Sequence, residues 1–122
     1  MKFVTYTNID GEKPRFGFKR YDEIVDVIRS AKWVNQNNKD ASFLTIPTTI
    51  KLALGNWDIK FSKWKGLNQA IPDSDLSSLE ANGKPIAIKE NEASILPPVP
   101  NPDTFRDFYA FEQHVKAARK LR

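Results

Sequence analysis

The chain contains no cysteine. Disulfide staples and thiolate chemistry are therefore excluded, and the composition fits a reducing compartment. Long apolar runs are missing as well. The opening residues, Met1-Lys2-Phe3-Val4-Thr5-Tyr6-Thr7, alternate in character and do not resemble a signal peptide. No later stretch is long enough to cross a bilayer. A cytoplasmic protein with no membrane partner is the expectation. Acidic charge is in modest deficit, 15 Asp and Glu against 19 Lys and Arg, for a formal net charge of +4. A basic balance can mark a nucleic-acid partner, but these cations are scattered and most have acidic neighbours. The one dense run, Lys116, Arg119, Lys120 and Arg122, falls at the end of an expected helix, where cations complement the dipole. No nucleic-acid partner is expected.

At 122 residues the chain can build one compact domain with a modest core. Lys2 to Thr7 reads as a strand, Asn8-Ile9-Asp10-Gly11 as a turn, and Arg15 to Arg20 as a second strand with Phe16 and Phe18 on one face. After a turn at Tyr21-Asp22, the β-branched residues around Ile24, Val25, Val27 and Ile28 predict a third strand. Ser30 to Ala41 is polar, anchored by Trp33 and Val34. Pro47 predicts a short helix over Thr48 to Leu54, stopped by Gly55-Asn56. Trp57, Phe61 and Trp64 have helical spacing within Trp57 to Gln69. The Ser- and Asp-rich segment from Pro72 to Lys84 reads mostly as loop, with one helical turn around Leu76 and Leu79. Short strands are expected at Pro85 to Lys89 and Ala93 to Leu96. The fold class expected is α+β, a small antiparallel meander with packed helices.

Pro97, Pro98, Pro100 and Pro102 fall within six positions. Such a stretch is stiff and short of backbone donors, and it reads as a strut. Beyond it, Asn101-Pro102 or Asp103 supplies a helix start. The following segment has good helix propensity, with Phe105, Phe108, Phe111, Val115 and Ala118 on one side. Asp107 and His114, the only histidine, border that apolar side seven residues apart, about 10 Å along the helix axis. That spacing is too long for both to ligate one metal directly. It allows them to line two ends of one elongated site, and it equally allows a dipole-favoured acid and a half-buried histidine with packing roles.

The residues Leu96-Pro97-Pro98-Val99-Pro100, followed by Asp107-Phe108-Tyr109 and, after four residues, His114, resemble the fumarylacetoacetase superfamily. The likeness is specific over residues 95–122 and loose over the preceding part, where the order of strands and helices agrees. The resemblance implies an N-terminal domain over residues 1–96, a proline-rich connection over 97–102, and the first helix of a catalytic domain over 103–122. That domain would be a β-rich roll. The resemblance also implies that Asp107 is a carboxylate ligand of Mg²⁺ or Ca²⁺, whose hard-cation chemistry favours oxygen. Tyr109 would place its hydroxyl on the substrate, and His114 would be the general base that activates water. The reaction implied is hydrolysis of a carbon–carbon bond in a small β-diketo acid. Related members of the superfamily perform decarboxylation, isomerisation or dehydration.

The remaining metal carboxylates and polar donors of that family have no counterpart here, and no glycine cap follows Leu121-Arg122. The chain is therefore expected to be an N-terminal fragment, inactive by itself and without a tightly held cofactor. The aromatic face of Phe105, Phe108 and Phe111 predicts association with another copy, so a homodimer is expected. A complete, non-catalytic interaction domain is the competing expectation, and a small basic nucleic-acid binder is a third.

Overall fold

The computed structural model describes residues 1–8, 13–38, 42–43 and 45–99. Its frame is one antiparallel sheet. Strand β1 (Phe3–Asn8) pairs with β2 (Arg15–Arg20), which pairs with β3 (Glu23–Asp26). Two later strands complete the sheet at its edges. β6 (Ala87–Lys89) adds beside β3, and β7 (Ala93–Leu96) adds beside β1, giving the order β6-β3-β2-β1-β7. The turn between β2 and β3 is tight, and Tyr21 takes a positive φ of 57° there. The expected opening meander of three strands is present within this sheet, and the fold is α+β.

Strand alternation sends the odd and even residues of β1 to opposite faces. One face carries Phe3, Phe16, Phe18 and Val25 into the main core, with Val27, Ala31 and Val34 of helix α1 (Val27–Asn37) and Trp64 and Leu67 of helix α3 (Trp57–Ala70). The rings of Phe3, Phe16 and Trp64 meet at centroid distances of 4.5 to 5.8 Å. Aromatic pairs at such distances add to the stabilisation that burial alone provides. The buried indole nitrogen of Trp64 donates to the Pro47 carbonyl at 2.8 Å, tying α3 to the connection before it. On the other face, Tyr6, Ile24 and Ile88 form a second, smaller buried cluster.

Gly17 sits where the sheet needs close backbone approach. A Cβ there would stand 2.3 Å from the Val25 carbonyl oxygen and 3.1 Å from the Ile24 side chain. No side chain fits in that gap without moving β3.

Two expectations are corrected and one is extended. The third strand does not run through Ile28: it ends at Asp26, and a helix starts at Val27. Asp26 caps that helix, because its side chain accepts the Arg29 amide at 2.9 Å. This bond satisfies one of the first-turn donors, and it outweighs the β propensity of Val27 and Ile28. The polar stretch from Ser30 is accordingly helical to Asn37, with buried Val27, Ala31 and Val34 at helical spacing. Pro72 to Lys84 is mostly outside helix and strand, as expected, but it holds one element that was not expected. Beyond the expected helical turn at Leu76–Ser78, it holds a hairpin of β4 (Glu80–Ala81) and β5 (Lys84–Pro85). The strand expected from Pro85 to Lys89 begins at Ala87, because Pro85 belongs to that hairpin.

The short helix expected after Pro47 runs over α2 (Ile50–Ala53), capped by the Thr49 hydroxyl, and continues as a 3₁₀ turn through Asn56. No helix among the described residues is long and apolar enough to cross a membrane.

Candidate functional site

Asp107, Tyr109 and His114 lie outside the described residues. The structure does show how the chain leaves the sheet on its way to them. β7 pairs with β1 from Thr5 to Asn8, and the Thr5 hydroxyl then donates to the Pro98 carbonyl at 2.9 Å. The first half of the proline strut is thereby anchored to the sheet edge. Among the described residues, no three His, Cys, Asp or Glu side chains converge as a metal site would require.

Its most concentrated polar chemistry surrounds Asp26, which is 1% exposed. Alternation puts Tyr6, Arg15 and Asp26 on the same face of three neighbouring strands. The Tyr6 hydroxyl donates to Asp26 Oδ2 at 2.9 Å. Arg15 donates through Nε to Oδ2 and through Nη2 to Oδ1, the second bond at 3.1 Å. The Arg29 amide takes Oδ1 from the helix side, and the Ser30 hydroxyl donates to the Asp26 carbonyl at 2.6 Å. A buried carboxylate is costly unless its oxygens are bonded and its charge is paired, and here both conditions are met.

The consequence for Arg15 is orientation. Its hydrogen bond to Asp26 raises the guanidinium pKa above its ordinary value, and the two-point contact fixes the plane of the group. Two of its N–H groups donate to Asp26. The side chain is partly exposed and borders two surface depressions. One, of about 370 Å³, is lined by Thr5, Lys13, Phe16, Thr48 and Val99 among others and lies at the root of the strut. The other, of about 320 Å³, lies between α1 and the β4–β5 hairpin.

Tyr6 carries a testable signature of this network. Burial, then the Asp26 charge and the hydrogen bond to it, push its hydroxyl pKa well above the ordinary 10.0. The folded chain therefore keeps this proton at a pH where the unfolded chain has released it. Stability from this group is complete below about pH 10 and declines as pH rises beyond that value. Tyr6→Phe removes the titration, so its urea midpoint should fall less steeply above pH 10 than that of the native chain. Equal slopes for the two proteins would show that Tyr6 does not titrate in this way.

Sequence reasoning passed over Asp26 because it stood inside an expected strand. The available signal was a carboxylate directly before the helical spacing of Val27, Ala31 and Val34. No family model, curated protein or solved structure matches the chain.

Proposed function

We propose that the chain is the N-terminal part of a hydrolase similar to fumarylacetoacetase, acting on a small β-diketo acid in the cytoplasm as a homodimer. The observation that carries this reading is the run Leu96-Pro97-Pro98-Val99-Pro100 with Asp107, Tyr109 and His114 at their spacings beyond it. The anchoring of Pro98 by Thr5 supports it, because a strut fixed to the sheet edge can deliver the following segment to a defined place. Residues 1–96 are the N-terminal domain in this reading, 97–102 the connection, and 103–122 the start of the catalytic domain.

Asp107 is the one proposed metal ligand in the chain, and hard divalent cations take six or more oxygens. Other carboxylates of the full-length protein would complete the shell for Mg²⁺ or Ca²⁺. When bound, such an ion polarises the oxygens of a diketone. His114 takes a proton from water, whose hydroxyl adds to one carbonyl carbon. The bond from that carbon to the adjacent methylene breaks, and the methylene takes up a proton, leaving a carboxylic acid and a shorter keto acid. Tyr109 holds the substrate through its hydroxyl.

The test is to follow loss of the enolic diketone absorbance with the full-length protein and Mg²⁺, and to identify the two products. Turnover that stops on chelation is the expected result. Decarboxylation, isomerisation or dehydration of the same substrate without carbon–carbon hydrolysis would reassign the reaction. No conversion of any diketo acid would remove the proposal.

A further inference from the structure

Four large apolar side chains stand on the surface where α2 turns into α3. Leu52, Leu54, Trp57 and Ile59 are 55%, 61%, 39% and 59% exposed. Every residue from Leu54 to Ile59 is exposed. A Cβ at Gly55 would meet nothing within 4 Å, so this corner projects into open space. Single exposed apolar residues are ordinary, whereas several together mark a surface that meets a partner.

The corner is held in place from within. The Thr49 hydroxyl caps α2, and the Lys60 ammonium donates to the Leu52 carbonyl at 2.6 Å, which ties α3 back to α2. Trp57 stacks on Phe61 at 5.5 Å and meets Phe3 and Trp64 edge-on at 6.2 and 5.8 Å. Its ring is therefore a fixed wall continuous with the main core. A surface already ordered loses little conformational freedom on contact.

The chain leaves the sheet beside this corner. The depression of about 370 Å³ at the root of the strut is lined by Pro98 and Val99 and also by Thr48, Thr49 and Lys51, which lead into α2. The Thr5 hydroxyl fixes the strut there through the Pro98 carbonyl. Residues 100–122 continue from this point. Phe105 follows Val99 by six residues, a reach of up to about 20 Å. Phe105, Phe108 and Phe111 recur at intervals of three in the sequence, and Val115 and Ala118 continue that helical side.

We propose that residues 103–122 dock this aromatic side on the exposed corner of Leu52, Leu54, Trp57 and Ile59 in the same chain. The tether decides between this occupant and a second copy. A segment held by a short connection meets its site at an effective concentration in the millimolar range. A second copy at micromolar protein cannot match that. The docking rests on the exposed corner and the exit point of the chain, and it does not depend on the hydrolase reading. A homodimer of the full-length protein would then pair through another surface.

The absence of cysteine allows a direct test in the full chain. Gly55→Cys with Glu112→Cys is treated with a short bis-alkylating thiol reagent. This pair leaves all four corner side chains and the three phenylalanines in place. Tyr21→Cys with Glu112→Cys is the control, because Tyr21 is 83% exposed and lies beyond the end of β2 remote from Phe16, about 17 Å away. The expected result is a link within one chain that forms at least about tenfold faster than in the control.

Hydrogen exchange over residues 103–122 is the second measurement. Leu52→Asp with Leu54→Asp should speed it about tenfold or more, and Tyr21→Asp should leave it unchanged. All three positions are exposed, and circular dichroism checks that the fold persists. Three results overturn the docking: linking no faster than in the control, linking between chains in place of linking within one, or exchange that the leucine substitutions do not alter. Linking between chains would assign the corner to a second copy.

Discussion

Asp26→Ala is expected to destabilise the fold by about 3–5 kcal/mol, the range for removing one partner of a buried ion pair. Three losses coincide. Helix α1 loses the cap on the Arg29 amide, which by itself is worth about 1 kcal/mol. The Tyr6 hydroxyl, on a residue 1% exposed, loses its acceptor. The Arg15 guanidinium loses both of its bonds to the carboxylate. Arg15 is partly exposed and can recover some hydration, so the lower part of the range is the better expectation. Native domains are held by about 5–15 kcal/mol in all, so such a loss leaves a marginal protein. Asp26→Asn keeps an acceptor for the helix cap and should cost less. Combining Asp26→Ala with Arg15→Met removes the stranded cation and should restore part of the loss, although the missing cap and the Tyr6 hydroxyl limit the recovery. Urea denaturation of the four proteins measures these differences. A cost below about 1 kcal/mol for Asp26→Ala would show that solvent replaces the network, because an exposed pair has that value.

Much of the sheet was readable from local pattern. The alternation of Phe16 and Phe18 about Gly17, and of Tyr6 between Thr5 and Thr7, specifies two adjacent strands. Trp57, Phe61 and Trp64 announce their helix in the same way. Other features depend on neighbours far away in sequence. Val27 and Ile28 favour strand by type, yet the capping bond of Asp26 turns the chain into α1 at that point. The sheet's outer members, β6 and β7, arrive from about 60 and 90 residues after their partners, a pairing that no local window contains. The β4–β5 hairpin is different, because Asn82-Gly83 is the strongest short hairpin signal there is. It was submerged in a segment judged by its Ser and Asp content.

The same contrast applies to the candidate sites. Leu52 and Leu54 read as core residues by type, and only the packing of β2, α2 and the strut around one depression shows them exposed beside the exit of the chain. Asp107, Tyr109 and His114 are proposed from one continuous stretch of sequence, the prolines and the residues that follow them. A motif carried on one segment is visible without tertiary structure. A surface assembled from three segments is not.

If the chain belongs to the proposed hydrolase, His114→Ala in that protein is expected to lower turnover of a β-diketo acid by a factor of about 10²–10⁴ while leaving metal affinity nearly unchanged, the cost typical of losing a general base. Asp107→Ala is expected to lower both. The difference follows from the two proposed roles and from their spacing. In the helix expected from the sequence, a spacing of seven residues would put the two side chains on one stripe about 10 Å apart along the axis, which is the arrangement the two proposed roles require. Removing the imidazole takes away the proton acceptor and leaves the oxygen ligands in place. Removing the carboxylate withdraws a negative charge and a ligand from a shell of six or more oxygens, which weakens the ion's hold and its polarising effect together. His114→Gln separates bulk from basicity, because it keeps a hydrogen-bonding side chain of similar reach without an imidazole that can take the proton, and it should remain as slow as His114→Ala. The measurements are turnover at saturating Mg²⁺ and Mg²⁺ dissociation constants from calorimetry for all three variants. Near-normal turnover in His114→Ala would make the histidine a packing residue. Unchanged metal affinity in Asp107→Ala would remove that carboxylate from the proposed shell.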